Sequence, residues 1–144
     1  MKKIITLLLF LIFPVVLVWA EETPGLTSDE TIRKKYDKNK LLQTEISYKD
    51  YKIQWWKRYY PTGKVKQEFP FSNGKIEGTV KSYYESGKLK VESPYVAGKP
   101  DGVSKEYDEE GKLRQEILYG NGQMTQKTLY ESDGKIAKTE EYKQ

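Results

Sequence analysis

The 144-residue chain contains no cysteine and no histidine. Without those side chains there is no His-based catalytic triad, no thiol nucleophile, no disulfide framework and no ordinary structural zinc site. What remains is carboxylate, lysine or tyrosine chemistry. With no cysteine to carry a lipid, a lipoprotein is excluded as well. The chain also lacks a dominant charge, because 25 basic residues stand against 21 acidic ones and the two signs are interleaved. That mixture leaves no electrostatic footprint for nucleic acid. With 32% of residues charged, a large two-sided core is not expected, and the length fits one domain.

Long apolar runs are absent except at the start. Lys2 and Lys3 precede an almost unbroken apolar stretch from Ile4 to Val18, and Val18-Trp19-Ala20 has the small-x-small form that signal peptidase accepts. Residues 1–20 therefore read as a signal peptide cleaved after Ala20, with Pro14 and the acidic pair Glu21 and Glu22 in support. The rival reading is an uncleaved anchor, since about 17 apolar residues is the lower limit for spanning a bilayer. Export predicts a periplasmic, envelope-associated or secreted protein. Removing Lys2 and Lys3 leaves 23 of the 25 basic residues against 21 acidic ones, so the mature chain is nearly neutral. An exported chain with no disulfide must be held by packing and hydrogen bonds, which a repetitive sheet provides.

What the chain does have is an internal repeat. Tyr59-Tyr60-Pro61-Thr62-Gly63-Lys64-Val65 recurs 24 residues later as Tyr83-Tyr84-Glu85-Ser86-Gly87-Lys88-Leu89, and again from Tyr107 through Gly111-Lys112-Leu113. A fourth copy begins at Tyr130 with Gly134-Lys135-Ile136. A degenerate copy, in which Lys40 replaces the turn glycine, precedes them from Tyr36. A second mark falls between the others, at Asn73-Gly74, Ala97-Gly98 and Asn121-Gly122. Glycine tolerates the positive φ of tight hairpin turns, so Gly63, Gly74, Gly87, Gly98, Gly111, Gly122 and Gly134 read as turn residues separating short antiparallel strands.

Between the glycines the residues alternate with a period of two. Val65, Phe69 and Phe71 point away from Lys64, Lys66 and Glu68, and Leu89, Val91 and Tyr95 point away from Lys88, Lys90 and Glu92. The predicted fold is all-β, an antiparallel sheet with one apolar, aromatic face and one charged face. Two aromatic columns recur: Tyr36, Tyr59, Tyr83, Tyr107 and Tyr130, and Tyr48, Phe71, Tyr95, Tyr119 and Tyr142. Pro70 and Pro94 predict a bulge or strand end, because proline cannot donate to a ladder. Thr27 and Glu30 stand at capping-box spacing, so Thr31–Lys35 reads as a short helix within a 21–35 linker, ahead of a repeat domain over 36–144. Its units are about 36–58, 59–82, 83–106, 107–129 and 130–144.

These units resemble the MORN repeat family in its bacterial variant form, on the Tyr-Tyr-x-x-Gly-Lys-hydrophobic-Lys runs at 59 and 83 and on Gly74-Lys75-Ile76-Glu77-Gly78 and Gly98-Lys99-Pro100-Asp101-Gly102. The likeness covers about 59–142, and more weakly 36–58. It implies a single-layer, extended and twisted β-meander of repeated hairpins that serves as an adhesive or scaffold module. Some bacterial relatives are antitoxin components. The third unit departs, because Gly122-Gln123-Met124-Thr125-Gln126 lacks the second glycine, and its second strand is expected to be less regular.

The functional reading is of a non-catalytic surface. Glu68, Glu92 and Glu116 recur at one charged position, whereas an active site needs an irregular constellation in a pocket. No cofactor and no metal are expected. The aromatic columns read as structural spacers. Trp55 and Trp56 break the period and must point to opposite faces, so one is expected in the core and the other is the candidate partner contact. The expected partner is another protein, held at the aromatic face or by addition of a strand to an open edge. The lysines after the turn glycines, Lys64, Lys75, Lys88, Lys99, Lys112 and Lys135, leave open an anionic lipid or glycan. A third possibility is an antitoxin-like component of a toxin–antitoxin pair. Oligomeric state is not readable from the repeat.

Overall fold

The structure, a computed structural model, describes residues 30–143. The signal segment expected at 1–20 lies outside the described residues. The strands are β1 (Glu30–Tyr36), β2 (Leu42–Lys49), β3 (Lys52–Tyr59), β4 (Val65–Ser72), β5 (Lys75–Ile76), β6 (Gly78–Tyr83), β7 (Leu89–Val96), β8 (Lys99–Pro100), β9 (Gly102–Tyr107), β10 (Leu113–Gly120), β11 (Gln123–Tyr130) and β12 (Ile136–Glu141). They form one open sheet in the order β1-β2-β3-β4-β6-β7-β9-β10-β11-β12, with the short β5 and β8 paired to β4 and β7. Every pairing is antiparallel, so the chain is a meander of hairpins.

The two glycine series close opposite ends of the strands. At one end Gly63, Gly87, Gly111 and Gly134 each donate their N–H to a carbonyl three residues back, with N···O distances of 2.9–3.0 Å. At the other end Asn73-Gly74, Ala97-Gly98 and Asn121-Gly122 have positive φ at both central residues, which matches the right-handed twist of the strands they join. The degenerate first unit keeps the same conformations without glycine: Lys40 has φ 62°, and Asp50 and Tyr51 have φ 49° and 60°. An L-residue pays steric strain there.

Three expectations need correction. The segment Thr31–Lys35 is not a helix but most of β1, paired along its length with β2, and the Glu30 carboxylate accepts a 2.6 Å hydrogen bond from Ser47 Oγ. A five-residue helix forms too few internal bonds to offset its nucleation, whereas a strand at a sheet edge joins a ladder already in place. Thr27 lies outside the described residues.

The prolines do not end or bulge their own strands. Pro70 and Pro94 lie within β4 and β7, and the irregularity is on the facing strand. Between Glu68↔Lys81 and Phe71↔Ile76 the β5–β6 side carries two residues more than β4, and Val91↔Glu106 to Tyr95↔Pro100 repeats the step. Proline offers no N–H to its neighbour, so the neighbour loops outward. Glu77 N–H and Asp101 N–H still reach the Pro70 and Pro94 carbonyls at 3.1 and 3.0 Å. The second glycine of each G-K-x-x-G run then turns back under the proline ring with φ 100° at Gly78 and 102° at Gly102.

The third unit is for the same reason less disturbed, with one extra residue, Thr125, at the Leu118/Tyr119 step where the proline units carry two. Leu118 takes the place of the proline, its amide is available, and β11 runs unbroken from Gln123 to Tyr130. A loop, and the glycine that closes it, are needed only where proline is present.

No second layer covers the sheet among the described residues. Among these residues no apolar side chain is fully buried, and the buried ones are Ser47, Ser104 and Thr128. Half-burial on both faces, with an almost complete backbone ladder, holds the meander together through nearest-neighbour contacts.

Candidate functional site

Residues directly opposite one another on neighbouring strands share a face. On one face this places Lys34, Glu45, Lys57, Glu68, Lys81, Glu92, Lys105 and Glu116 in a single row, each opposite the next. The row alternates in sign across eight strands. Lys34–Glu45 and Lys57–Glu68 close to 3.0 and 3.1 Å. Opposite-charge neighbours of this kind contribute up to about 1 kcal/mol each, and half-exposed ones less.

The first aromatic column belongs to this charged face. Tyr59 donates its hydroxyl to Glu45, Tyr83 to Glu68 at 2.8 Å, Tyr107 to Glu92 at 2.8 Å and Tyr130 to Glu116 at 2.6 Å. These tyrosines tie down carboxylates of the charged face instead of filling an apolar layer. Burial raises the Glu45 and Glu68 carboxyls, yet the tyrosine and lysine hydrogen bonds together with the lysine charges outweigh it and hold both below the usual carboxylate value. Burial, then the glutamate hydrogen bond and charge, push the phenols up, Tyr83 to about 12. At neutral pH Glu45 and Glu68 are thus ionised and Tyr59 and Tyr83 protonated. A lowered carboxylate is a weaker base and a raised phenol a weaker proton donor at neutral pH.

The other face is aromatic and poor in charge. Ile46, Trp56 and Phe69 are successive partners, and the Trp56 and Phe69 rings stack with centroids 5.1 Å apart at 24°. The second column lies here too: Tyr95 stands opposite Gly78 and Tyr119 opposite Gly102. Among the residues in paired register between β3 and β10, the charged members of this face are Arg58, which donates to Gln67 at 3.0 Å, and Glu106, while Lys66 and Lys90, at the register shifts, lie over the Tyr60 and Tyr84 rings at 5.3 Å. Tyr142 has left the column, lying beyond β12 with its hydroxyl on Glu140 at 2.9 Å.

Trp55 and Trp56 point to opposite faces, as adjacent strand residues must. Trp55 sits on the charged face opposite Ser47 and Pro70, with Lys57 Nζ 5.1 Å from its ring centroid. Both tryptophans are half-buried. Neither is a core residue, because a single-layer sheet has no interior.

Five of the six turn lysines are engaged within the chain. Lys64, Lys88 and Lys112 reach forward to the Ser86, Glu109 and Ser132 carbonyls of the next turn at 3.3, 2.6 and 3.3 Å. Lys99 donates to Asn121 Oδ1 at 3.3 Å and Lys135 pairs with Asp133 at 2.8 Å. Their partners are mainly turn carbonyls of the neighbouring repeat, not cross-strand glutamates. The charged row escaped sequence reading, although its signal was present as lysine at 57, 81 and 105 in step with glutamate at 68, 92 and 116.

Comparison with known proteins agrees with this geometry. The sequence pattern of the MORN repeat variant matches residues 56–73, 76–97 and 100–121. No curated protein matches the chain. Among solved structures, the crystal structure of TarM aligns with 78% of this chain at 10% sequence identity and a TM-score of 0.41, and this chain spans only 19% of the TarM chain. MORN repeats generally bind proteins or membrane lipids, and all-β repeat proteins of this kind are typically non-catalytic. Residues 56–121 are accordingly three consecutive repeats of the MORN variant family, set in a sheet that continues beyond them to Glu30 and Glu141.

Proposed function

We propose that the protein is an exported, non-catalytic binding module of the bacterial envelope that engages another protein through the aromatic face of its sheet. The observation that supports this is the contrast between the faces. The charged row neutralises itself, strand by strand, while the stack of Trp56 on Phe69 and its neighbours stays half-exposed with few charges. Large, rigid aromatic contact area is what protein interfaces concentrate. The turn lysines favour a protein over an anionic lipid, because three of the six already donate to carbonyls of the adjoining turn and two more are engaged by side chains of the same protein.

The test is affinity capture from the native envelope with wild type, Trp56→Ala and Trp55→Ala, each checked for folding by circular dichroism, followed by reconstitution with the purified partner. A partner retained at high salt and lost with Trp56→Ala is the expected result. Binding abolished by salt, where exposed charges are screened within about 8 Å or less, or indifferent to Trp56, refutes it. Export is tested separately, by a mature N-terminus at Glu21.

A further inference from the structure

On the aromatic face one row across the sheet is built of large apolar residues, Ile46, Trp56, Phe69 and Val80, and then falls to two serines, Ser93 and Ser104, before Ile117. The serines occupy the positions that Phe69 and Val80 fill one repeat earlier, 24 residues before each. The gap they leave is a depression of about 130 Å³, whose polar border is Ser93, Ser104, Lys105, Glu106, Gln115 and Tyr119. Ser104 is only 7% exposed, and its Oγ has no hydrogen-bond partner. Leaving a buried hydroxyl unpartnered is costly. A repeat that needed only packing would have kept the valine.

The polar groups around the gap share one character. Glu106 is a half-buried carboxylate on a charge-poor face; Gln115 Nε2 touches it at 3.5 Å, and among the described residues no lysine or arginine lies within ion-pair distance of it. Lys105 also borders the gap, but its register position, opposite Glu92 and Glu116, puts its side chain in the charged row of the other face. The carboxylate, the two hydroxyls and the Gln115 carbonyl are all able to accept, beside a tyrosine ring. A planar guanidinium offers five donors in a fixed fork and is attracted by both the carboxylate and the ring face.

We infer that this serine gap is a subsite for an arginine side chain of the protein partner, seated on Glu106 with its donors on Ser104, Ser93 and Gln115. The inference rests on the aromatic face being the protein-binding face and assigns the chemistry of the anchor. The gap takes one side-chain head, so the rest of the partner segment lies along the Trp56–Phe69 stack.

Nuclear magnetic resonance titration of the full chain tests it, with N-acetyl-arginine amide, the neutral isostere N-acetyl-citrulline amide and methyl α-glucoside as probes. The arginine probe should move the resonances of Ser93, Ser104, Gln115 and Tyr119 with a dissociation constant on the order of millimolar, and citrulline should not. Glu106→Gln should weaken binding about tenfold or more, since the bond lost is charge-assisted. Ser104→Val restores the residue of the preceding repeat, so it should fold normally and abolish the response. Equal binding of citrulline, a response to the glucoside alone, or no response to any probe overturns the inference. A native partner captured in a Trp56-dependent manner yet indifferent to Glu106→Gln would sink this subsite while leaving the proposed function standing.

Discussion

Gly78 and Gly102 share a backbone conformation and differ in how closely a proline ring lies above them, which makes the proline–glycine device measurable. A Cβ at Gly78 would stand 3.4 Å from Pro70 Cγ and one at Gly102 would stand 3.0 Å from Pro94 Cγ, with φ of 100° and 102°; Gly63, at φ 82°, has nothing within 4 Å. A left-handed φ costs an L-residue about 1–2 kcal/mol, partly offset by about 0.4–1 kcal/mol from the stiffer unfolded chain. Gly63→Ala should therefore cost about 1 kcal/mol. Gly78→Ala should cost about 2 kcal/mol, because its φ lies farther from the left-handed well near +57°. Gly102→Ala adds an overlap with a rigid ring that has no rotamer to escape into, about 1–2 kcal/mol more. Combining it with Pro94→Ala should recover the overlap and leave the backbone share. Urea unfolding followed by circular dichroism measures all four. Equal costs at Gly78 and Gly102, or no recovery with Pro94→Ala, would refute the account.

Tyr51→Gly should raise stability by about 0.5–1 kcal/mol, since it relieves a fully exposed side chain of φ 60°, and the same urea titration reads it. Tyr83→Phe should cost about 1 kcal/mol, and the loss should be smaller when Glu68 is already Gln, as a double-mutant cycle would show. The pH profile of the melting temperature should fall at both ends. Glu45 and Glu68 sit below their ordinary value of 4.5, so the stability they contribute is present above that pH and lost as acid protonates them. Tyr83 is raised from 10.0 to about 12, so its share is intact below pH 10 and lost as pH climbs toward 12; in Glu68→Gln its phenolate should appear at lower pH by ultraviolet titration.

The hairpins, their turns and their two unlike faces were legible because each depends on neighbours in the chain: glycine at positive φ, alternation with period two, and a 24-residue period that repeats both. The N-terminal helix was misread because a capping-box spacing is a local signal, and β1 is held by a ladder with β2 that local signals do not encode. The prolines were assigned the right disturbance on the wrong strand, since a missing N–H is felt by the partner that would have accepted its bond. Trp55 and Trp56 were correctly split between faces, but their half-burial follows from the lack of a second layer.

By itself the sequence determined the repeat, the meander and the absence of thiol and imidazole chemistry. Only the tertiary structure decided which side chains meet. The alternating charge row, the tyrosines tied to its carboxylates and the serine gap all join residues roughly 10 to 15 positions apart along the chain. Their contacts depend on strand register, and a bulge of one residue suffices to send a side chain to the other face.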